Sequence, residues 1–134
     1  MKAEREIVDT WSPRLLGLVR IVTGLLFMEH GSAKLLGHPH LAMFDGLHLF
    51  SLMGVAGVLE LVGGLLVALG LFTRPVAFIL SGEMAVAYFI AHAPQGFLPL
   101  VNQGEPAVLY CFLFLYLFVA GPGAFSIDAI RNKA

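Results

Sequence analysis

The chain has 134 residues, of which 58% are hydrophobic and 13% charged, with a mean hydropathy of +0.86 and a formal net charge of −1. A soluble domain of this length cannot hide so much apolar surface in its core, and a near-zero charge without a basic block excludes nucleic acid as a partner. The composition is that of an integral membrane protein whose surroundings are the lipid bilayer.

Four apolar runs of helical length predict spans over about 14–36, 50–70, 74–92 and 105–121. None alternates with the period of a barrel strand, so the expected fold is all-α, a four-transmembrane-helix bundle forming one domain over 1–134. The first run is expected to stay attached rather than serve as a cleavable leader, because Lys2, Arg5 and Arg14 are mixed with Glu4, Glu6 and Asp9, and Arg20 interrupts the apolar stretch. Trp11, Ser12 and Pro13 give an interfacial anchor, an N-cap and a first-turn proline, which places the start of the first helix there.

The connection from Gly37 to Leu49 contains His38, Pro39, His40, Phe44, Asp45 and His48, and is apolar enough to lie in the interface. Two histidines flanking a proline supply only two metal donors, so no metal site is expected. The second helix ends at Gly70 and Thr73-Arg-Pro75 opens the third, making these two antiparallel neighbours. From Ala93 to Gln103, Pro94, Gly96 and Pro99 surround an apolar stretch that dips between helix ends if protein buries its backbone. Gly121-Pro-Gly123 stops the fourth helix. Phe112, Phe114, Tyr116 and Phe118 within it are expected to face lipid or to pack.

An even number of spans puts both termini on the side of the short connection between the second and third helices. Lys2, Arg5, Arg14, Arg74, Arg131 and Lys133 fall there and only Lys34 falls opposite, which makes both termini cytoplasmic. Cys111 is the single cysteine, which excludes an internal thiol–disulfide exchange centre.

Three ionisable residues inside apolar spans, Arg20, Glu60 and Glu83, carry the main functional signal. Each costs about 2.5–3.5 kcal/mol at the bilayer centre unless it meets a partner, water or a ligand. Gly17, Arg20, Gly24, Phe27, Gly31 and Lys34 share one helical stripe, as do Ala56, Gly57, Glu60, Gly63 and Gly64, so both stripes should face the bundle. Two acids then compete for one base, with one carboxylate expected to pair with Arg20. The remaining acid is either a proton relay or hydrogen-bond donor, or part of an ion pair that fixes register. A second cluster of Glu29, His30, Lys34, His92, Asn102 and Glu105 gathers at the opposite helix ends, either to bind a headgroup or small anion or to anchor the helices.

Read in order, Arg20-x-x-x-Gly24, His30-Gly31-x-x-Lys34, Glu60-x-x-Gly63-Gly64, Gly70-Leu-Phe-Thr-Arg74, Glu83-Met84, Asn102-Gln-Gly-Glu105 and Gly121-Pro-Gly-x-x-Ser126-Ile-Asp128 resemble the DoxX family of small bacterial membrane proteins. The resemblance covers nearly the whole chain. It implies an inner-membrane four-helix bundle whose relatives include a subunit of thiosulfate:quinone oxidoreductase, cargo receptors and assembly chaperones. It further implies functional roles for Arg20, His30, Lys34, Glu60, Glu83 and Glu105, while Arg74 and Asp128 are expected to fix turns.

Two functions fit. One is a membrane subunit of a redox system handling quinone or reduced sulfur, with Glu60, Glu83 and Arg20 as the proton site and His30, Lys34, His92 and Glu105 as ligand-binding groups. Having no recognisable haem, flavin, iron–sulfur or nucleotide motif, it needs a redox partner protein or bound quinone. The other is a non-catalytic accessory protein that binds lipid or assists a partner's assembly. The glycine-rich faces suit contacts within the chain or in a homodimer.

Overall fold

The computed structural model describes residues 1–132 and is helical throughout, without strands among them. Its helices are α1 (Lys2–Leu35), α2 (Leu52–Leu69), α3 (Thr73–Ala87, continued by a π turn over Tyr88–His92), a short α4 (Pro99–Asn102), α5 (Glu105–Ala120) and α6 (Ile127–Arg131). α1, α2 and α3 with its continuation are long and apolar enough to cross a membrane. The 16-residue α5 is apolar but shorter. Lys133, counted in the charge asymmetry, lies outside the described residues.

α1 lies antiparallel along α2, α3 lies along α5, and contacts between α2 and α3 join the two hairpins. The first hairpin is a backbone-to-backbone contact. A Cβ built on Gly24 would fall 2.5 Å from the Ala68 amide nitrogen and 2.6 Å from the Gly64 carbonyl oxygen, and one on Gly31 would fall 2.4 Å from the Leu61 amide. Glycines seven apart therefore set how closely the helices approach, as expected from the stripe. The core consists of Phe27, Val67, Ala77, Leu80, Met84, Tyr88, Ala107, Phe114 and Leu117. Leu18, Val22, Leu25, Val62, Phe78, Ile79 and Phe112 point outward, the inside-out distribution of a lipid-solvated bundle.

One expected boundary is corrected. α1 begins at Lys2, not near Arg14, and carries Pro13 within it. Pro13 removes one helical donor, but its own carbonyl accepts a hydrogen bond from the Ala124 amide at 2.8 Å. Gly17, one turn on, lets the 122–125 segment lie flat against α1, because a Cβ there would sit 2.3 Å from the Ala124 oxygen.

The turns are capped by named groups. α2 ends on Gly70 at φ 65°, with the Leu71 amide reaching back to the Leu66 carbonyl. Asp128 in α6 accepts the Phe72 and Thr73 amides at 3.0 and 2.9 Å and so caps α3, as expected for this acid. Burial pushes the Asp128 carboxyl up, but those amides and the charge of Arg131 hold it below the usual carboxylate range. Arg74 donates to the Phe118 and Val119 carbonyls at the end of α5, also a turn-fixing role.

Candidate functional site

Arg20 does not meet either glutamate. It is fully buried, and its donors go entirely to backbone oxygens: Nε to Pro122 at 2.7 Å, Nη1 to Val67 at 2.8 Å and Ala68 at 2.6 Å, and Nη2 to Ala124 at 3.1 Å and Phe125 at 2.8 Å. Five guanidinium donors meet five carbonyls, two of them at the negative end of α2. Glu60 precedes Ala68 by eight residues, about 12 Å along the helix axis. The expected Arg20–carboxylate pair is thus replaced by a clip joining α1, the end of α2 and the turn after α5.

The base that reaches Glu60 is Lys34. Its Nζ forms the ion pair with Oε1 of Glu60, with side chains only 10% and 4% exposed, and the ammonium also stands 5.8 Å from the Phe44 ring centroid. Oε2 of Glu60 and both carboxyl oxygens of Glu83 are buried without a hydrogen-bond partner. Glu83 lies in electrostatic range of Glu60 and Lys34, and Glu60 in range of His30. Three orphaned carboxyl oxygens in one apolar interior are a large uncompensated cost, each ordinarily worth more than about 1 kcal/mol.

An aromatic wall bounds this group. The His30 ring stands edge-on to Tyr110 at 6.0 Å, and Phe27 packs against Tyr110 at 5.1 Å and Phe114 at 4.8 Å. Tyr110 was not singled out in the sequence. Its signal was its place four residues before Phe114, which puts both on one face of α5. Of the aromatics expected to face lipid or pack, Phe114 is fully buried while Phe112, Tyr116 and Phe118 are exposed. Neighbouring Ser81 donates to the Cys111 carbonyl at 2.8 Å, tying α3 to α5 beside Glu83.

The second expected cluster divides. Lys34 joins the carboxyl group just described, and His30, exposed on α1, stands within electrostatic range of Glu60. The Nδ1 of His92 instead lies 3.0 Å from the Asn102 carbonyl, and Asn102 organises the loop by donating to Tyr88 Oη and the Gly96 carbonyl and accepting the Gly104 amide. Tyr88 donates to the Phe97 carbonyl. Glu105 is exposed in the first turn of α5, where an acid complements the helix dipole. His40 and Asp45 form an exposed pair at 3.0 Å, and among the described residues no three metal-ligating side chains converge.

Beneath the connection that holds this pair, Lys34 lines a cavity of about 220 Å³ together with Leu41, Phe44, Asp45 and Leu47. The buried carboxyl group therefore has a polar vestibule on one side, with the lysine between the two.

The DoxX family profile matches residues 15–93, a stretch holding Arg20, His30, Lys34, Glu60, Glu83 and His92. The chain belongs to the DoxX family. It is 46% identical to an uncharacterized protein of Haemophilus influenzae over 90% of this chain and 93% of that one. The inner membrane protein YqjF of Escherichia coli is 30% identical over 87% of this chain and 91% of its own length. A Bacillus subtilis protein named "Putative oxidoreductase CatD" is 39% identical over 87% of this chain and 86% of its own. No solved structure matches. Family, relatives and apolar helices together make this DoxX chain a multi-pass protein of the bacterial inner membrane.

Proposed function

We propose that this DoxX protein is the membrane subunit of a redox system, in which Glu60 and Glu83, with Lys34, form a proton-holding site that hydrogen-bonds a quinone or a small reduced sulfur species. The observation that carries this is the set of three partnerless carboxyl oxygens beside a single ammonium. One proton shared between the two carboxyls makes the group neutral overall, and a carboxylic acid so held is a donor to a carbonyl or sulfur–oxygen ligand. The Bacillus relative's name is consistent with redox work, and bound quinone or a partner protein supplies the electron carrier. Arg20 leaves the catalytic set and becomes a positioning residue for the end of α2. His30 stays near the site, whereas His92 and Glu105 belong to the loop that closes the opposite hairpin.

In this arrangement α5 is the fourth span, its 16 residues covering about 24 Å and α4 filling the remaining depth. Both termini are cytoplasmic by the charge asymmetry, so the vestibule beside Lys34 opens on the outer face.

The rival function, a non-catalytic accessory protein that binds lipid or assists assembly, draws on the fact that Arg20 has a complete structural role and that the Lys34–Glu60 pair joins α1 to α2. Glu83→Gln separates the two. A redox site loses turnover and ligand while thermal stability in detergent is retained, whereas a structural acid loses expression and melting temperature. Unchanged activity together with unchanged stability removes Glu83 from both schemes. Mass spectrometry of the purified protein for stoichiometric quinone is the accompanying measurement.

A further inference from the structure

Lys34 stands between two environments. On one side its Nζ meets Glu60, and on the other its chain lines the cavity under the 36–51 connection, which also holds Asp45. An ammonium has three donors, and among the described residues only Glu60 accepts one. A polar cavity of about 220 Å³ is roomy enough for several waters.

The opposite direction is closed. Between Glu60 and the end that carries the termini lie Phe27, Leu80, Val67 and Phe114, each at most 1% exposed. Beside them α1 and α2 touch backbone to backbone at Gly24, Gly64 and Ala68, and beyond stands Arg20 with all five donors taken. Close-packed apolar matter of this kind holds no water.

We propose that the Glu60–Glu83 carboxyl pair exchanges protons with one side of the membrane only, the face carrying the 36–51 connection, through Lys34. This rests on the proton-site reading given above and adds its sidedness. The steps balance without a further reactant. The Lys34 ammonium gives a proton to the Glu60 carboxylate, leaving a neutral amine and a neutral acid. The amine takes a proton from a hydronium ion that reaches the cavity, leaving water, and Glu60 passes its own to the Glu83 carboxylate. The titratable groups around the route are Glu29, His30 and Lys34 on α1, Glu60 on α2, Glu83 on α3 and Tyr110 on α5, with His40 and Asp45 on the connection.

The test uses the full chain in proteoliposomes, with orientation read from trypsin cleavage at Lys2, Arg5 or Arg14. The probe is dicyclohexylcarbodiimide, a membrane-soluble reagent that adds to protonated carboxyls: the acid's proton moves to a carbodiimide nitrogen as its oxygen bonds the central carbon. Mass spectrometry reads adducts at Glu60 and Glu83 while pH is varied on one face at a time. Raising pH by about two units on the connection face should slow labelling at least about threefold, and the same change on the termini face should leave it unaltered. Leu47→Trp, which fills the cavity without touching Glu60, should blunt the response, and Lys34→Met should abolish it if that variant folds. A rate that follows the termini face or both faces equally, or no labelling of either glutamate at any pH, overturns the inference. Sided labelling in a protein that binds neither quinone nor sulfur species keeps the inference and sinks the redox function. Quinone binding with unsided labelling does the reverse.

Discussion

Lys34 of α1 reaches Glu60 of α2 from 26 residues away in sequence, and this ion pair is buried at the hairpin contact. Removing one partner strands the other charge in an apolar medium, at a cost of about 3–5 kcal/mol, whereas removing both with uncharged groups of similar size is far cheaper. Lys34→Met alone should therefore lower thermal stability in detergent sharply, and Lys34→Met with Glu60→Gln should regain most of the loss. A double variant as unstable as the sum of the singles would show that the pair is not coupled.

Arg20→Lys keeps the charge but offers three donors to five carbonyls. At least two of the acceptors at Val67, Ala68, Pro122, Ala124 and Phe125 lose their partner, each worth roughly 1–3 kcal/mol. The expected outcome is a destabilised protein with faster amide exchange over residues 121–126 and ligand binding per folded molecule unchanged. Loss of ligand binding at unchanged stability would return Arg20 to the site.

Glycine substitutions should divide by neighbourhood. Gly24→Ala and Gly31→Ala drive a methyl group into the backbone of α2, and overpacking of this kind costs about 1–3 kcal/mol or more. Gly82 has nothing within 4 Å of a built Cβ, so Gly82→Ala should be neutral or stabilising by up to about 1 kcal/mol through helix propensity. Melting temperatures of the three variants make the comparison.

Acid should loosen the α2–α3 turn. The Asp128 carboxyl is held below its ordinary range when folded, so its contribution is complete above the unfolded aspartate value of about 3.9 and is lost as pH falls through the folded value. Wild type should lose stability below about pH 4, and Asp128→Asn should be weaker at neutral pH with a flatter acid response. Denaturation curves taken across that range would reveal parallel profiles if Asp128 contributed nothing.

The helical membrane fold and the bundle-facing stripes were legible because glycine and charge repeat at helical spacing in otherwise apolar runs. The partner of Glu60 was not, and the reason is register. Depth counted from the span ends placed Arg20 near the glutamates, but a hairpin folded about the 36–51 connection sets Gly24 against Gly64 and Ala68, and Gly31 against Gly57 and Leu61. Glu60 then sits opposite the region of Phe27 to Gly31, within reach of a lysine side chain from Lys34. Arg20 misled for a further reason. Charge-counting rules seek a carboxylate, and the acceptors here are carbonyls, three of them about 100 residues away in the chain. Pro13 likewise reads as a helix start when local rules alone are applied, because nothing in the sequence shows that Ala124 will satisfy its carbonyl.

The clip around Arg20 also bears on biosynthesis. Three of its five acceptors lie at Pro122, Ala124 and Phe125, more than 100 residues after Arg20, so α1 enters the membrane long before its guanidinium can complete its hydrogen bonds. Until then only the Val67 and Ala68 carbonyls can serve it, and the first hairpin carries a cation with three unmet donors, a mark that distinguishes an unfinished bundle from a finished one. Release of that mark coincides with arrival of the 122–125 segment.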